Sequence, residues 1–181
     1  MAASIAPHAQ VRVNAAEALH PVIRQVLQEA GVEEEHFRLF NHPANDVWCR
    51  DHGPVFVQDV SDGSLMLADW QFNAWGGKFA PWDLDDGISS LIGSSLGLPV
   101  RSSRMILEGG AIEGNGDGLL VTTEAVLLNP NRNPDWSRAE IEAELRRMLG
   151  VHTIFWLGSG IEGDDTDGHI DDMVRFVARD A

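Results

Sequence analysis

Apolar residues recur at helical spacing early in the chain. Val22, Ile23, Val26, Leu27 and Ala30 precede Gly31, which predicts an amphipathic helix over about 18–30 closed by a C-terminal glycine. Two starts fit this pattern. Asn14 with Glu17 has the spacing of a capping box, which leaves Pro21 inside the helix; a start at Pro21 places it in the first turn, where its missing N–H is no loss. Next, 55–60 and 64–72 are strand-like runs joined by Ser61, Asp62 and Gly63, the pattern of a hairpin. A helix over 84–96 follows, with Ile88, Leu91 and Ile92 on one face and Gly97 as its stop.

The same order returns downstream. Residues 111–113 and 119–122 flank the turn-rich 114–118, and 125–128 is another apolar run. Ser137 and Glu140 form a capping box ahead of Ile141, Leu145, Met148 and Leu149, and 151–157 reads as a buried strand. Strands, helix and strand thus occur twice, and the first helix with 38–40 resembles the end of a preceding unit, so a repeat architecture is predicted. Three polar clusters fall at one phase of it: 48–54, 107–110 and 164–172. Asp51, Glu108 and His169 follow one another at 57 and 61 residues. Repeats set radially about an axis bring equivalent positions together, so these clusters are expected to converge.

Their residue types suggest chemistry. The turn signal His52-Gly53-Pro54 is expected to end a strand and leave Asp51 at its mouth, where a carboxylate accepts paired hydrogen bonds from a planar guanidinium. An ion pair with Arg50, or a turn cap, is the competing reading. Trp48 offers either a face for a delocalised cation or a core side chain. Glu108 follows Met105-Ile106-Leu107 at an expected strand end, where Gly109 and Gly110 permit close backbone approach. His169 and Asp171 are expected on one strand face. A calcium-loop reading of the last cluster fails: aligning Asp165, Asp167 and Gly168 puts Gly163 at the first ligand position and Val174 at the closing glutamate. No metal or other cofactor is called for.

Charge narrows the partners. With 13 basic against 28 acidic residues the chain carries −15, which argues against nucleic acid and anionic membrane surfaces and suits a small cationic ligand. No run approaches the roughly 18 apolar residues of a membrane span, and no leader segment is visible. A single cysteine, Cys49, rules out an intrachain disulfide and leaves the cytoplasm as the expected compartment.

Five stretches, NDVWCRDHGPVFV, FNAWGGKFAPWD, LEGGAI, LLVTTEAVLLNPNRNP and WLGSGIEGDDTDGHIDD, together resemble the agmatine deiminase family of the guanidine-modifying, or pentein, superfamily, over 45–176. The resemblance implies an α/β propeller of ββαβ units with the active site on its axis, of which this chain would hold about half. It implies that Asp51 and Asp171 hold the guanidinium, that His169 is the general acid and base, and that Glu108 supports them. Trp48 would line the pocket, and Asp165, with Asp164 and Asp167 as alternatives, would meet the substrate's distal amine. The implied activity is cofactor-free hydrolysis of agmatine to N-carbamoylputrescine and ammonia. A peptidylarginine or free-arginine deiminase, and a non-catalytic binder of guanidines or polyamines, are the alternatives. The family's nucleophile is a cysteine in a glycine-rich segment near the C-terminus, which Cys49 does not match; Cys49 is expected to be packed and inert. The chain is therefore expected to be an internal piece of a longer enzyme, truncated at both ends and inactive alone, with homo-oligomer formation left open.

Overall fold

Pro21 settles where the first helix begins. In the structure, a computed structural model that describes residues 1–179, strand β1 (Val11–Ala15) leads into helix α1 (His20–Glu29), which has the proline in its first turn. Asn14 caps nothing; it lies in β1 and its Oδ1 meets His42 Nδ1 at 3.0 Å. Strand β2 (Phe37–Asn41) returns parallel to β1, in register Val11 with Phe37. Leu27, Val32, Phe37 and Ala6 form the core of this unit, Met1–Asn45. Val22 and Val26 stay exposed, because a two-stranded sheet covers only part of the helix's apolar face.

The second unit starts at Asp46 and contains the repeat twice. A single helical turn, α2 (Cys49–His52), precedes the hairpin of β3 (Val55–Gln58) and β4 (Leu65–Gln71), paired Val55 to Ala68. Helix α3 (Ile88–Leu96) then returns the chain to β5 (Val100–Ile106), parallel to β4. The predicted helix over 84–96 is broken: Asp83–Asp86 forms its own turn and α3 starts after Gly87. The second repeat is β6 (Ile112–Gly114), antiparallel to β7 (Leu119–Thr123), then α4 (Arg138–Leu149) and β8 (Thr153–Leu157), parallel to β7. The run at 125–128 becomes a helical turn, Glu124–Leu127.

Helix α4 is built as its sequence dictates. Ser137 and Glu140 make a reciprocal capping box, Gly150 closes the helix in the left-handed conformation, and Ile141, Leu145 and Met148 are buried on one face. They join Trp70, Met105, Leu107, Ile112, Leu120 and Leu127 in one core shared by both repeats. Strand β8 corrects an expectation: Phe155 and Leu157 are exposed, because β8 pairs with β7 alone and nothing described covers its outer face. The architecture is mixed α/β, with three small sheets among the described residues, ordered β1-β2, β3-β4-β5 and β6-β7-β8. No helix among the described residues is long and apolar enough to cross a membrane.

Candidate functional site

The three polar clusters do converge, and they meet at Gly110. Asp51 comes from the turn of α2 that precedes β3, not from a strand end as expected. That turn buries Asp51 and His52 and leaves Cys49 and Arg50 outside, so Cys49 is exposed rather than packed. The ion-pair reading fails too, since Arg50 Nη2 donates to the carbonyl of Ile112. Asp51 Oδ1 instead accepts the Gly110 N–H at 2.9 Å, and Oδ2 accepts the Trp75 indole N–H at 3.1 Å. His169 Nδ1 lies 3.7 Å from Asp51 Oδ1 and 3.9 Å from Asp171 Oδ1. Asp171 donates its backbone N–H to the Gly110 carbonyl at 3.2 Å.

Only a glycine fits at that centre. A Cβ on residue 110 would stand 2.5 Å from His169 Nδ1, 2.7 Å from Asp51 Oδ1 and 2.9 Å from Asp171 Oδ2. Gly109 is equally constrained: a Cβ there would lie 2.0 Å from the Arg50 carbonyl oxygen, the close approach that the Gly-Gly pair suggested. Gly110→Ala should therefore lower affinity for a guanidinium ligand by on the order of a hundredfold, since displacing positioned groups by about 1 Å has that scale of effect. Titration calorimetry checks it; unaltered affinity would mean that the ligand does not engage this cluster.

His169 and Asp171 do not share a strand. Their segment is a run of turns held by Asp164, whose carboxylate accepts the backbone N–H groups of Thr166, Gly168 and His169 at 2.8, 2.9 and 3.1 Å. This organisation by side chain rather than by sheet is what an Asp-rich sequence permits. Thr123, at the end of β7, fixes the same loop by donating its hydroxyl to the Gly168 carbonyl at 2.8 Å.

Glu108 is fully buried beyond β5, and it faces Arg132, itself buried. Arg132 Nε donates to Glu108 Oε1 at 2.6 Å, Nη1 to Asp167 Oδ2 at 2.8 Å and Nη2 to the Thr166 carbonyl at 3.1 Å. Lys78 completes the network on Asp167 Oδ1 at 2.5 Å. Asp165 turns its side chain to solvent while its carbonyl accepts from Lys78 Nζ at 2.7 Å. Trp48 is 58% exposed, whereas Trp75 is 5% exposed, and it is Trp75 that touches Asp51.

Trp75 belongs to an uncommon turn. Ala74, Trp75, Gly76 and Gly77 all have positive φ, at 51°, 56°, 86° and 80°. Gly77 N–H donates to the Asn73 carbonyl at 2.7 Å and Lys78 N–H to the Ala74 carbonyl at 3.1 Å, making one turn of left-handed helix. The left-handed conformation costs roughly 1–2 kcal/mol for each residue with a side chain, and it persists where surrounding contacts over-determine it. Here they do: Asn73 accepts the Gly76 N–H at 2.9 Å and donates to the Asn131 carbonyl at 2.9 Å. Gly76 leaves room for Asn131 and Arg132, which a Cβ would meet within 3 Å. Trp75 and Arg132 were not among the expected site residues, and Gly110 and Asp164 were expected in the converging clusters without these roles. The Trp-Gly-Gly run was the legible signal for the first, because successive glycines favour positive φ.

Burial sets the titration of the cluster. It pushes Asp51 up to about 6, against the bonds from Gly110 and Trp75 that favour the carboxylate. It pushes His169 down to about 4. Above pH ~6 the pair thus rests as a carboxylate beside a neutral imidazole, and a cation arriving at Asp51 would deepen that ionisation. Burial also raises Glu108 and Asp171; the Arg132 guanidinium opposes it for Glu108. For Asp167 the bonds from Lys78, Arg132 and Asn131 outweigh burial and hold the carboxyl at about 2. Among the described residues no group of three or more His, Cys, Asp or Glu is arranged to hold a metal ion.

The cluster is a buried imidazole beside two carboxylates, carried on ββαβ repeats. The chain belongs to the family of Porphyromonas-type peptidyl-arginine deiminases, whose pattern it matches over residues 1–181. It is 43% identical over 153 residues to the agmatine deiminase of Stutzerimonas stutzeri, covering 82% of this chain and 41% of that one. Identity to the agmatine deiminase of Ectopseudomonas mendocina is 42% with the same coverage. The solved agmatine deiminase of Enterococcus faecalis superposes with a TM-score of 0.89 at 34% identity, covering 98% of this chain and 48% of that one. The chain thus spans about two fifths of the length of these curated relatives.

Proposed function

We propose that this chain supplies the guanidinium-holding part of an agmatine deiminase, an enzyme that hydrolyses agmatine to N-carbamoylputrescine and ammonia. The observation that carries the reading is the meeting of Asp51, His169 and Asp171 around the bare Cα of Gly110. Asp51 and Asp171 hold and polarise the guanidinium, with Glu108 in support. A cysteine thiolate from sequence outside this chain attacks the guanidinium carbon, and the tetrahedral adduct collapses by breaking a C–N bond. His169, neutral at rest, takes the proton the cysteine thiol gives up and passes it to the departing ammonia, then takes a proton from the water that hydrolyses the thiouronium. Trp48 lines the pocket mouth, and Asp165 meets the distal ammonium. The ββαβ repeats are arranged as part of a propeller with this cluster near its axis. The enzyme works in the cytoplasm without a cofactor and has no nucleic-acid partner; the net charge of −15 supports a dication as substrate.

Product analysis tests this. The full-length protein, treated with chelator, is incubated separately with agmatine, free arginine and an arginyl peptide. N-carbamoylputrescine should form from agmatine, with little product from the others, and His169→Ala should nearly abolish it. Preferred citrulline formation from either arginine substrate would replace the agmatine reading, and loss of activity on chelation, restored by zinc, would replace the mechanism.

A further inference from the structure

Both oxygens of Asp51 are already spoken for by the protein. The Gly110 N–H takes Oδ1 at 2.9 Å and the Trp75 indole N–H takes Oδ2 at 3.1 Å. An ionised carboxylate offers about four acceptor positions, so one remains on each oxygen. Two parallel acceptors, one per oxygen, match the edge of a guanidinium, which donates two parallel N–H bonds. An ammonium has no such edge.

We infer that Trp75 is a positioning residue that presets Asp51 for two-point recognition of a guanidinium, the reading resting on the function proposed above. Three independent features aim the indole. The left-handed turn over 74–77 is conformationally costly for Ala74 and Trp75 and turns both side chains into a buried cluster with Phe72. Its two ends are tied to Asp167, Lys78 directly and Asn73 by way of Asn131, whose amide donates to the same carboxylate. The ring itself is wedged edge-on between Phe72 and Phe79, with centroids 5.2 and 5.6 Å away. The other charged or titratable groups that act on Asp51 are Glu108, Asp171 and His169. None of them is an N–H donor bonded to Oδ2, so the indole has no substitute there.

The test separates the N–H from the ring. Trp75→Phe, and replacement of the indole by its benzothiophene isostere, which keeps the shape and lacks the donor, are each titrated with agmatine and with a simple diamine on both sides of pH 6. Loss of one bond to a charged acceptor should weaken agmatine about tenfold and leave the diamine unchanged. The pH below which agmatine binding is lost should also move upward, because Asp51 loses a bond that favours its ionised form. If the isostere matches the unsubstituted protein in affinity and pH profile, Trp75 only packs and the inference falls while the proposed function stands. If the unsubstituted protein binds no agmatine, the proposed function falls and takes the inference with it.

Discussion

Asp51→Asn should lower agmatine turnover by the full-length protein by several orders of magnitude and also weaken the fold. The charge loss is one part, since the carboxylate is what the guanidinium would face. The other part is local. Both carboxylate oxygens accept from fixed N–H donors, Gly110 and Trp75, and an asparagine has one oxygen. Whichever way its amide turns, an NH₂ group meets one of those donors in a buried site, at a cost of about 1–3 kcal/mol. Two measurements separate the parts: rate, and thermal unfolding of the unliganded protein. A variant with near-normal turnover would show that Asp51 is structural, and one with unchanged Tm would show that the two donors are not held as described.

Arg132→Met should produce the largest loss of stability of any single change at the site. The guanidinium is fully buried against an equally buried Glu108 and also holds Asp167 and the Thr166 carbonyl. Removing one partner of a buried pair costs about 3–5 kcal/mol, mostly because the other charge is left uncompensated. For a chain of this size that corresponds to a fall in Tm of roughly 10 °C or more. Adding Glu108→Gln should restore part of the loss, since a neutral amide at 108 no longer needs the cation. A shift of less than a degree in Arg132→Met would show that Glu108 is already neutral or otherwise paired.

The sequence made the scaffold legible wherever one segment carried its own signal. Helix α4, twelve residues long, had a capping box at its start, a buried stripe and a stop glycine just past its end, and all three hold. The hairpin of β3 and β4 was equally local, with its turn at Ser61, Asp62 and Gly63. The repeat was visible because the same local signals recur in the same order. Burial was less legible: Phe155 and Leu157 read as core, yet what covers a strand depends on segments far away in sequence. The approximate positions of Asp51, Glu108 and His169 followed from repeat phase, whereas their partners did not. Arg132 looks like one more turn residue in NPNRNP, and only the fold shows it between Glu108 and Asp167, 24 and 35 residues away. The strand expected around His169 failed for a related reason: alternation cannot reveal that Asp164 gathers three backbone N–H groups and bends the segment.

One residue also sets the spacing between the two carboxylates that flank His169. Gly110 gives its N–H to the side chain of Asp51 and its carbonyl to the backbone of Asp171, so positions 120 residues apart in the chain are referenced to a single residue. Their separation is then gauged locally, like two parts clamped to the same jig, and small shifts between the repeats do not accumulate along the intervening chain. Breathing of the scaffold moves the two carboxylates together with their gauge. Sequence drift in the helices and hairpins between them is accordingly expected to leave the gap unchanged, while drift at position 110 itself is not tolerated.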